Sequence, residues 1–380
     1  MPTLLACGSN GAGQLAIGHV EDAAVFSPCV FDPSCPPFES VIDLVSAASH
    51  ALLLVSAEGR SHLLGAGTNT HGQLGKACAL TDSSRPATSF RPLSIVRDAG
   101  FEGWEPIKVA ATWTTSFVAL ESPDGSAART QVIVTAGSDD FGELGGGVIR
   151  LKDGERVEHL RGGQRHVLAV LSSGSGNARK QRVIGWGAAR RGELDPKPQP
   201  PMGKGKARVT RTRPPTELTL ELSSPIIDIA LGASHTLVLL ANGRVLAWGS
   251  DLKGQITGLD DATGVRAIGA TWNGSYLLTD KLWSQGSNTH GQLLRSDAGE
   301  TRAPRLPVPL EAEAVEAFAA GSEHILALAR AAARTDLWAG GWNEHGNLGV
   351  GNTIDSAQLL NTGVRATRVW GGCAASWALV

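Results

Sequence analysis

The chain has 380 residues, a formal net charge of −2 and 18% charged residues. A charge so near zero supplies no overall attraction for nucleic acid or anionic membrane, and the 42% hydrophobic share excludes a disordered polymer. The 47 glycines, about 12% where roughly 7% is usual, demand many tight turns.

The first ten residues, MPTLLACGSN, lack the basic stretch and the long apolar run of a signal peptide, and no run of about 18 apolar residues predicts a membrane span. The cysteines are Cys7, Cys29, Cys35, Cys78 and Cys373, an odd number without CxxC spacing. They predict neither a disulfide framework nor a structural zinc site, and they fit a reducing intracellular compartment.

In chain order, one nonapeptide recurs seven times: GSNGAGQLA from Gly8, GTNTHGQLG from Gly67, GSDDFGELG from Gly137, GAARRGELD from Gly187, GSDLKGQIT from Gly249, GSNTHGQLL from Gly286 and GWNEHGNLG from Gly341. Each copy follows a short apolar run stopped by glycine, such as HLLGAG, RVLAWG or DLWAGG, which predicts a strand. Upstream lies a second recurring strand, seen in ASHALLLV, QRHVLAVL, ASHTLVLL and SEHILALA, and a hairpin turn joins the two. In the nonapeptide the first glycine suits positive φ. Asn10, Asn69, Asn288 and Asn343 suit turn hydrogen bonds, and Leu15, Leu74, Leu144, Leu194, Leu293 and Leu348 suit the core. The copies from Gly137 and Gly249 are the most degenerate.

A small antiparallel sheet cannot bury its faces alone, whereas stacked neighbours bury each other. Seven units predict an all-β fold, a seven-bladed β-propeller of antiparallel blades forming a single domain over 1–380. The chain ends in the first half of a unit, CAASWALV, and starts in the second half, PTLLACGSN. The N-terminal strand is therefore expected to pair with the C-terminal blade and close the ring, and trimming either should weaken the whole.

The apolar strand followed by G-x-N-x-x-G-Q-L-G, with the upstream H-x-L-x-L strand, resembles the regulator-of-chromosome-condensation propeller family over the whole chain. CGSNGAGQLAIGHVED, GAARRGELD, GWNEHGNLG and VWGGCAASWALV are most similar to its compact fungal branch, the alpha-tubulin-suppressor or killer-toxin-insensitivity type. That resemblance implies a cytoplasmic and nuclear, non-enzymatic adaptor. It implies a heterodimer with a small CSL-type zinc-binding protein. The pair would support diphthamide synthesis on elongation factor two and Elongator-dependent modification of tRNA wobble uridines. The partner carries the metal, so this chain needs no cofactor. The alternative within the family is a guanine-nucleotide exchange factor for a Ran-type small GTPase. In that branch acidic residues and a histidine on the turns contact the GTPase. Here those positions hold Ser49, Trp113, Arg165, Ser234, Trp272 and Glu323, of which Glu323 alone is acidic. No basic tail for DNA or chromatin precedes the repeats.

Catalytic motifs are absent: there is no P-loop, no H-E-x-x-H and no G-x-S-x-G, and GSNGAG has the wrong glycine spacing for a dinucleotide loop. His50, His166, His235 and His324 occupy equivalent positions and are expected to bond backbone of their own or the next blade, not to bind metal. His71, His290 and His345, which recur in the nonapeptide turn, read the same way. Two units place tryptophan in the turn before the second strand, Trp113 and Trp272. Both are expected either to pack between blades or to anchor a partner, since aromatic residues dominate binding hot spots. Asn273, Glu323, Trp342, Glu344 and His345 complete the candidate partner-binding set, with Trp370 a weaker candidate at the seam. Trp186, Trp248, Trp283 and Trp338 lie inside strand runs and read as core. The segment 195–215, DPKPQPPMGKGKARVTRTRPP, is a basic Pro/Gly-rich loop insert, either solvated or an electrostatic arm for RNA or an acidic partner.

Overall fold

The computed structural model describes residues 2–76, 85–123, 129–196, 212–295, 303–309, 314–331 and 334–380. It contains seven antiparallel sheets arranged as the blades of a propeller. The innermost strands are, for blades one to seven, Ser40–Ser46, Glu105–Ala111, Arg156–Gly162, Ile226–Leu231, Ala267–Ala270, Ala314–Ala320 and Arg368–Gly371. Among the described residues six blades have four strands and blade four has three. The two most degenerate repeats are the two with reduced outer edges. Blade two's outer strand is only Val148–Arg150, and blade four has none among the described residues.

The ring closes as the terminal sequences predict. Leu4–Gly8 pairs with Ala375–Leu379 in the register Leu4↔Leu379 to Gly8↔Ala375, inside a sheet that also holds Ala23–Pro28 and Arg368–Gly371. Blade seven is thus built from both ends of the sequence.

Apolar runs are continuous because both faces of each blade are covered. In the second strand of blade one, Ala51, Leu53 and Val55 pack toward Trp377 and Leu4 of blade seven. Leu52 and Leu54 pack toward Val109, Val118 and Leu120 of blade two. Successive residues of a strand point to opposite faces, so a run without polar breaks joins two neighbours at once. Each fully buried leucine of this kind contributes about 1.5–3 kcal/mol. Trp186, Trp248 and Trp338 are buried in this way, whereas Trp283 is half-buried and donates from Nε1 to Thr279 Oγ1 at 3.0 Å.

The nonapeptide is a self-bonded turn. Its third residue accepts the amide of the eighth: Asn10 from Leu15 at 3.0 Å, Asn69 from Leu74 at 2.7 Å, Asn288 from Leu293 and Asn343 from Leu348 at 2.9 Å. Asp139 and Asp251 do the same for Leu144 and Ile256. Five of the plug leucines are fully buried, while Leu144, beside the short outer strand of blade two, is only half-buried. The opening glycine is required because the turn approaches the preceding blade strand closely: Gly67 has φ of +107°, and a Cβ there would lie 2.3 Å from the Ser49 carbonyl oxygen.

The repeat histidines staple neighbouring blades through a side chain, and not directly through backbone as their spacing suggests. Nε2 of His50, His166, His235 and His324 meets the hydroxyl of Ser116, Thr236, Ser275 and Ser376 of the following blade at 2.9, 3.2, 3.1 and 3.0 Å. Ser116, Thr236 and Ser376 donate onward to the carbonyls of Gln73, Glu193 and Asn347. The hydroxyl hydrogen is used there, so Nε2–H must be the donor to the hydroxyl, which fixes the tautomer. A hydroxyl wins over a carbonyl because it can accept from the ring and still satisfy the turn.

Three of the four rings also lie on a glycine, Gly163, Gly232 and Gly321, while the equivalent residue before His50 is Ala47. A Cβ on Gly232 would sit 2.1 Å from His235 Cε1, and one on Gly321 would sit 2.1 Å from His324 Cε1. Gly232→Ala is therefore expected to lower stability by about 1–3 kcal/mol, the range for overpacking. Urea unfolding of the single variant, and of the same variant carrying His235→Ala, checks this. An unchanged midpoint in the single variant would refute the clash.

Candidate functional site at the channel mouth

The turn between inner and second strands and the nonapeptide project from the same face of every blade. The register shows this: the residue that ends the first turn pairs with the glycine that opens the second, as in His50↔Gly67, Thr115↔Gly137, Gly274↔Gly286 and His324↔Gly341. Trp113, Trp272, Asn273, Glu323, Trp342, Glu344 and His345 therefore all lie on one face.

At its centre the first turns surround the mouth of the channel. Backbone bonds link them hand to hand: Trp113 N–H to Gln164 O, Gln164 N–H to Gly232 O, Ala233 N–H to Trp272 O, Trp272 N–H to Ser322 O, Ser322 N–H to Gly372 O and Cys373 N–H to Ser46 O. The mouth encloses a cavity of about 120 Å³ with walls of small residues, and both Trp113 and Trp272 border it. Their rings meet with centroids 6.1 Å apart, tilted by 53°. Both are half-buried, so they pack against each other across the mouth and still present surface.

The patch continues outward from the pair. Asn273 Nδ2 donates to Glu323 Oε1 at 3.3 Å, Gln292 Nε2 donates to Oε2 at 2.8 Å, and Trp342 N–H donates to the Glu323 carbonyl. Glu323 is only 8% exposed. Burial pushes its carboxyl up to about 7, against the pull of the Gln292 and Asn273 donors. Its carboxylate thus faces into the blade five–six junction, not outward. Trp342 stands edge-on to His345 at 5.4 Å, and His345 Nδ1 pairs with Asp22 of blade seven at 2.6 Å. His290 and Asp355 repeat that pairing one blade earlier at 3.1 Å. Glu344 is exposed.

Two residues of the patch lie outside the candidate set, Arg165 and Phe141. Arg165 lies 5.1 Å from the Trp113 ring centroid and 3.9 Å from that of Phe141, a cation held between two aromatic faces. Phe141 is the one aromatic residue at the fifth position of the nonapeptides, and that was the available signal. Trp370, by contrast, is 8% exposed at the blade seven–one seam, where its Nε1 donates to Asp43. It is a packing residue. Among the described residues no group of three or more His, Cys, Asp or Glu is placed to hold a metal ion. Most of 195–215 lies outside the described residues. Its last residues, 212–215, belong to blade three's outer strand, Thr212–Leu218, and Arg213 pairs with Asp195 at 2.6 Å. These residues are strand because they complete the sheet along Gly187 and Ala188.

The profile of the Regulator of chromosome condensation (RCC1) repeat matches residues 226–255. Across most of its length the chain is similar to proteins that carry this repeat. It is 27% identical to the bovine (Bos taurus) secretion-regulating guanine nucleotide exchange factor, over 93% of this chain and 76% of that one. It is 24% identical to an RCC1 repeat-containing protein of Schizosaccharomyces pombe, over 99% and 98%. Among solved structures, human WBSCR16 shares this fold with a TM-score of 0.74 at 17% identity, covering 100% of this chain and 99% of that one.

Proposed function

We propose that this RCC1-like propeller is a protein-docking adaptor whose channel-mouth face receives the partner. The observation that supports this best is the half-exposed Trp113–Trp272 pair over a pre-formed cavity, bordered by the polar groups of Asn273, Glu344 and His345. An apolar aromatic centre with a polar rim is the anatomy of a binding hot spot. The partner we propose is the small CSL-type zinc-binding protein that the sequence resemblance implies. In that pairing the chain serves diphthamide synthesis and Elongator-dependent tRNA modification, in cytoplasm and nucleus, without a cofactor of its own.

A second reading, nucleotide exchange on a Ran-type GTPase, is favoured by the exchange-factor name of the bovine relative. Against it stands Glu323, the one acidic side chain at the mouth positions, whose carboxylate is buried. Calorimetric titration with the CSL-type protein and a GDP-release assay with the GTPase separate the two. One-to-one heat without stimulated release supports the adaptor, and stimulated release without heat supports exchange. Trp272→Ala is expected to weaken partner binding by at least about 2 kcal/mol with little change in the thermal melt. A large fall in melting temperature would instead make Trp272 a core residue.

A further inference from the structure

Blade four's missing outer strand leaves more than a gap in the pattern. In five other blades the residue two before the opening glycine faces an outer-strand residue: Ala6↔Ser27, Gly65↔Arg91, Gly185↔Thr216, Ser284↔Leu306 and Ala339↔Leu360. The equivalent in blade four is Ala247, which pairs inward with Leu237. Among the described residues no strand pairs with the other side of its strand, Val245–Gly249. The following segment turns inward instead. Leu259, Ala262 and Val265 are buried against Leu237, Val245 and Leu277 of blades four and five.

A groove of about 400 Å³ runs along the vacated edge. Leu246, Ala247 and Trp248 form its floor, Leu220 and Ile256 contribute apolar wall, and Glu221 and Asp260 are its charged residues. Both carboxylates are on exposed residues, and among the described residues no cation lines the groove. Asp261 and Asp280 extend the acidic rim into the neighbouring cavity, where Arg305 is the single cation of the lining among the described residues. The edge sequence VLAWG carries none of the usual guards, lysine or proline, that keep open strands from pairing.

We propose that this edge binds an extended, cation-flanked segment of a partner protein, which adds to blade four as its fourth strand. Main-chain bonds to the Ala247 edge would supply the register, alternate apolar side chains would rest on Leu246 and Trp248, and lysine or arginine flanks would meet Glu221 and Asp260. The site lies on the outer rim and does not depend on the mouth reading.

The test uses the full chain and a fluorescein-labelled peptide of alternating threonine and valine with two lysines at each end, followed by anisotropy. Saturable binding is expected. It should weaken at least about ten-fold for a glutamate-flanked peptide, for the E221K/D260K variant, and for a peptide N-methylated at alternate residues, which cannot pair with an edge. Ala247→Pro should abolish it, and the N-methylated peptide keeps the test decisive if that variant does not fold. Absence of saturable binding overturns the proposal, as does equal binding of the N-methylated peptide. A dimer by sedimentation that excludes the peptide would also overturn it, since a second copy would then own the edge.

Discussion

Lowering the pH from 6.5 to 4.5 is expected to destabilise this protein steeply, and the four staple histidines are the reason. Burial pushes His50, His235 and His324 down to about 4 and His166 to about 3. In the unfolded chain a histidine takes up its proton near 6.5. Their folded values are depressed, so the stabilisation is fully present above 6.5 and is lost as the pH falls toward the folded values. Glu323 acts oppositely: with its carboxyl raised to about 7, the folded state binds its proton first and gains stability as the pH drops. Four protons refused by the staples against one accepted by Glu323 leave three, a limiting slope of about 4 kcal/mol per pH unit, and half-buried His159, pushed down to about 4 chiefly by burial, steepens it further. Glu143, Glu193 and Asp228, raised by burial, soften the slope toward its acid end. Urea midpoints at pH 7, 6 and 5 check this, and a flat profile across that range would refute the staple. His324→Gln should reduce the slope by about one proton's share.

The second large effect concerns the seam. Ala6 is fully buried and pairs with Trp377 on one side and Ser27 on the other. Ala6→Pro removes an amide from a strand that has neighbours on both sides and sets its ring against them, a loss of about 3 kcal/mol or more. The loss should be global, because Trp377 also contacts Phe90 of blade one at 5.8 Å and holds the closure to the next blade. A midpoint shift worth less than about 1 kcal/mol would mean that the ring does not rely on this strand.

The repeat made most of the architecture legible. A turn that must satisfy its own amides, with a glycine where a Cβ would strike the Ser49 carbonyl, can be written in few ways, so GTNTHGQLG and its copies announce each blade. Closure was legible because the two half-units at the ends complement each other. The site was legible only as types of residue. Trp113 and Trp272 are far apart in sequence and meet because blades two and five face each other across a narrow mouth, a distance set by ring geometry and not by local spacing. The burial of Glu323 likewise depends on Gln292 and Asn273 of a different blade. The histidine contacts were anticipated one atom short, since no local pattern says that a neighbouring blade will offer a hydroxyl.

The seam also has a schedule. Residues 4–8 are synthesised long before residues 375–379, with which they pair. At roughly 5–20 residues per second, the early strand waits on the order of 20–70 s for its partner. Throughout that interval Leu4 and Cys7, buried in the finished ring, have no blade seven to enter. The last blade to be completed is therefore the one whose first strand is oldest, and the nascent chain must be kept from pairing that strand elsewhere until residues 375–379 are made.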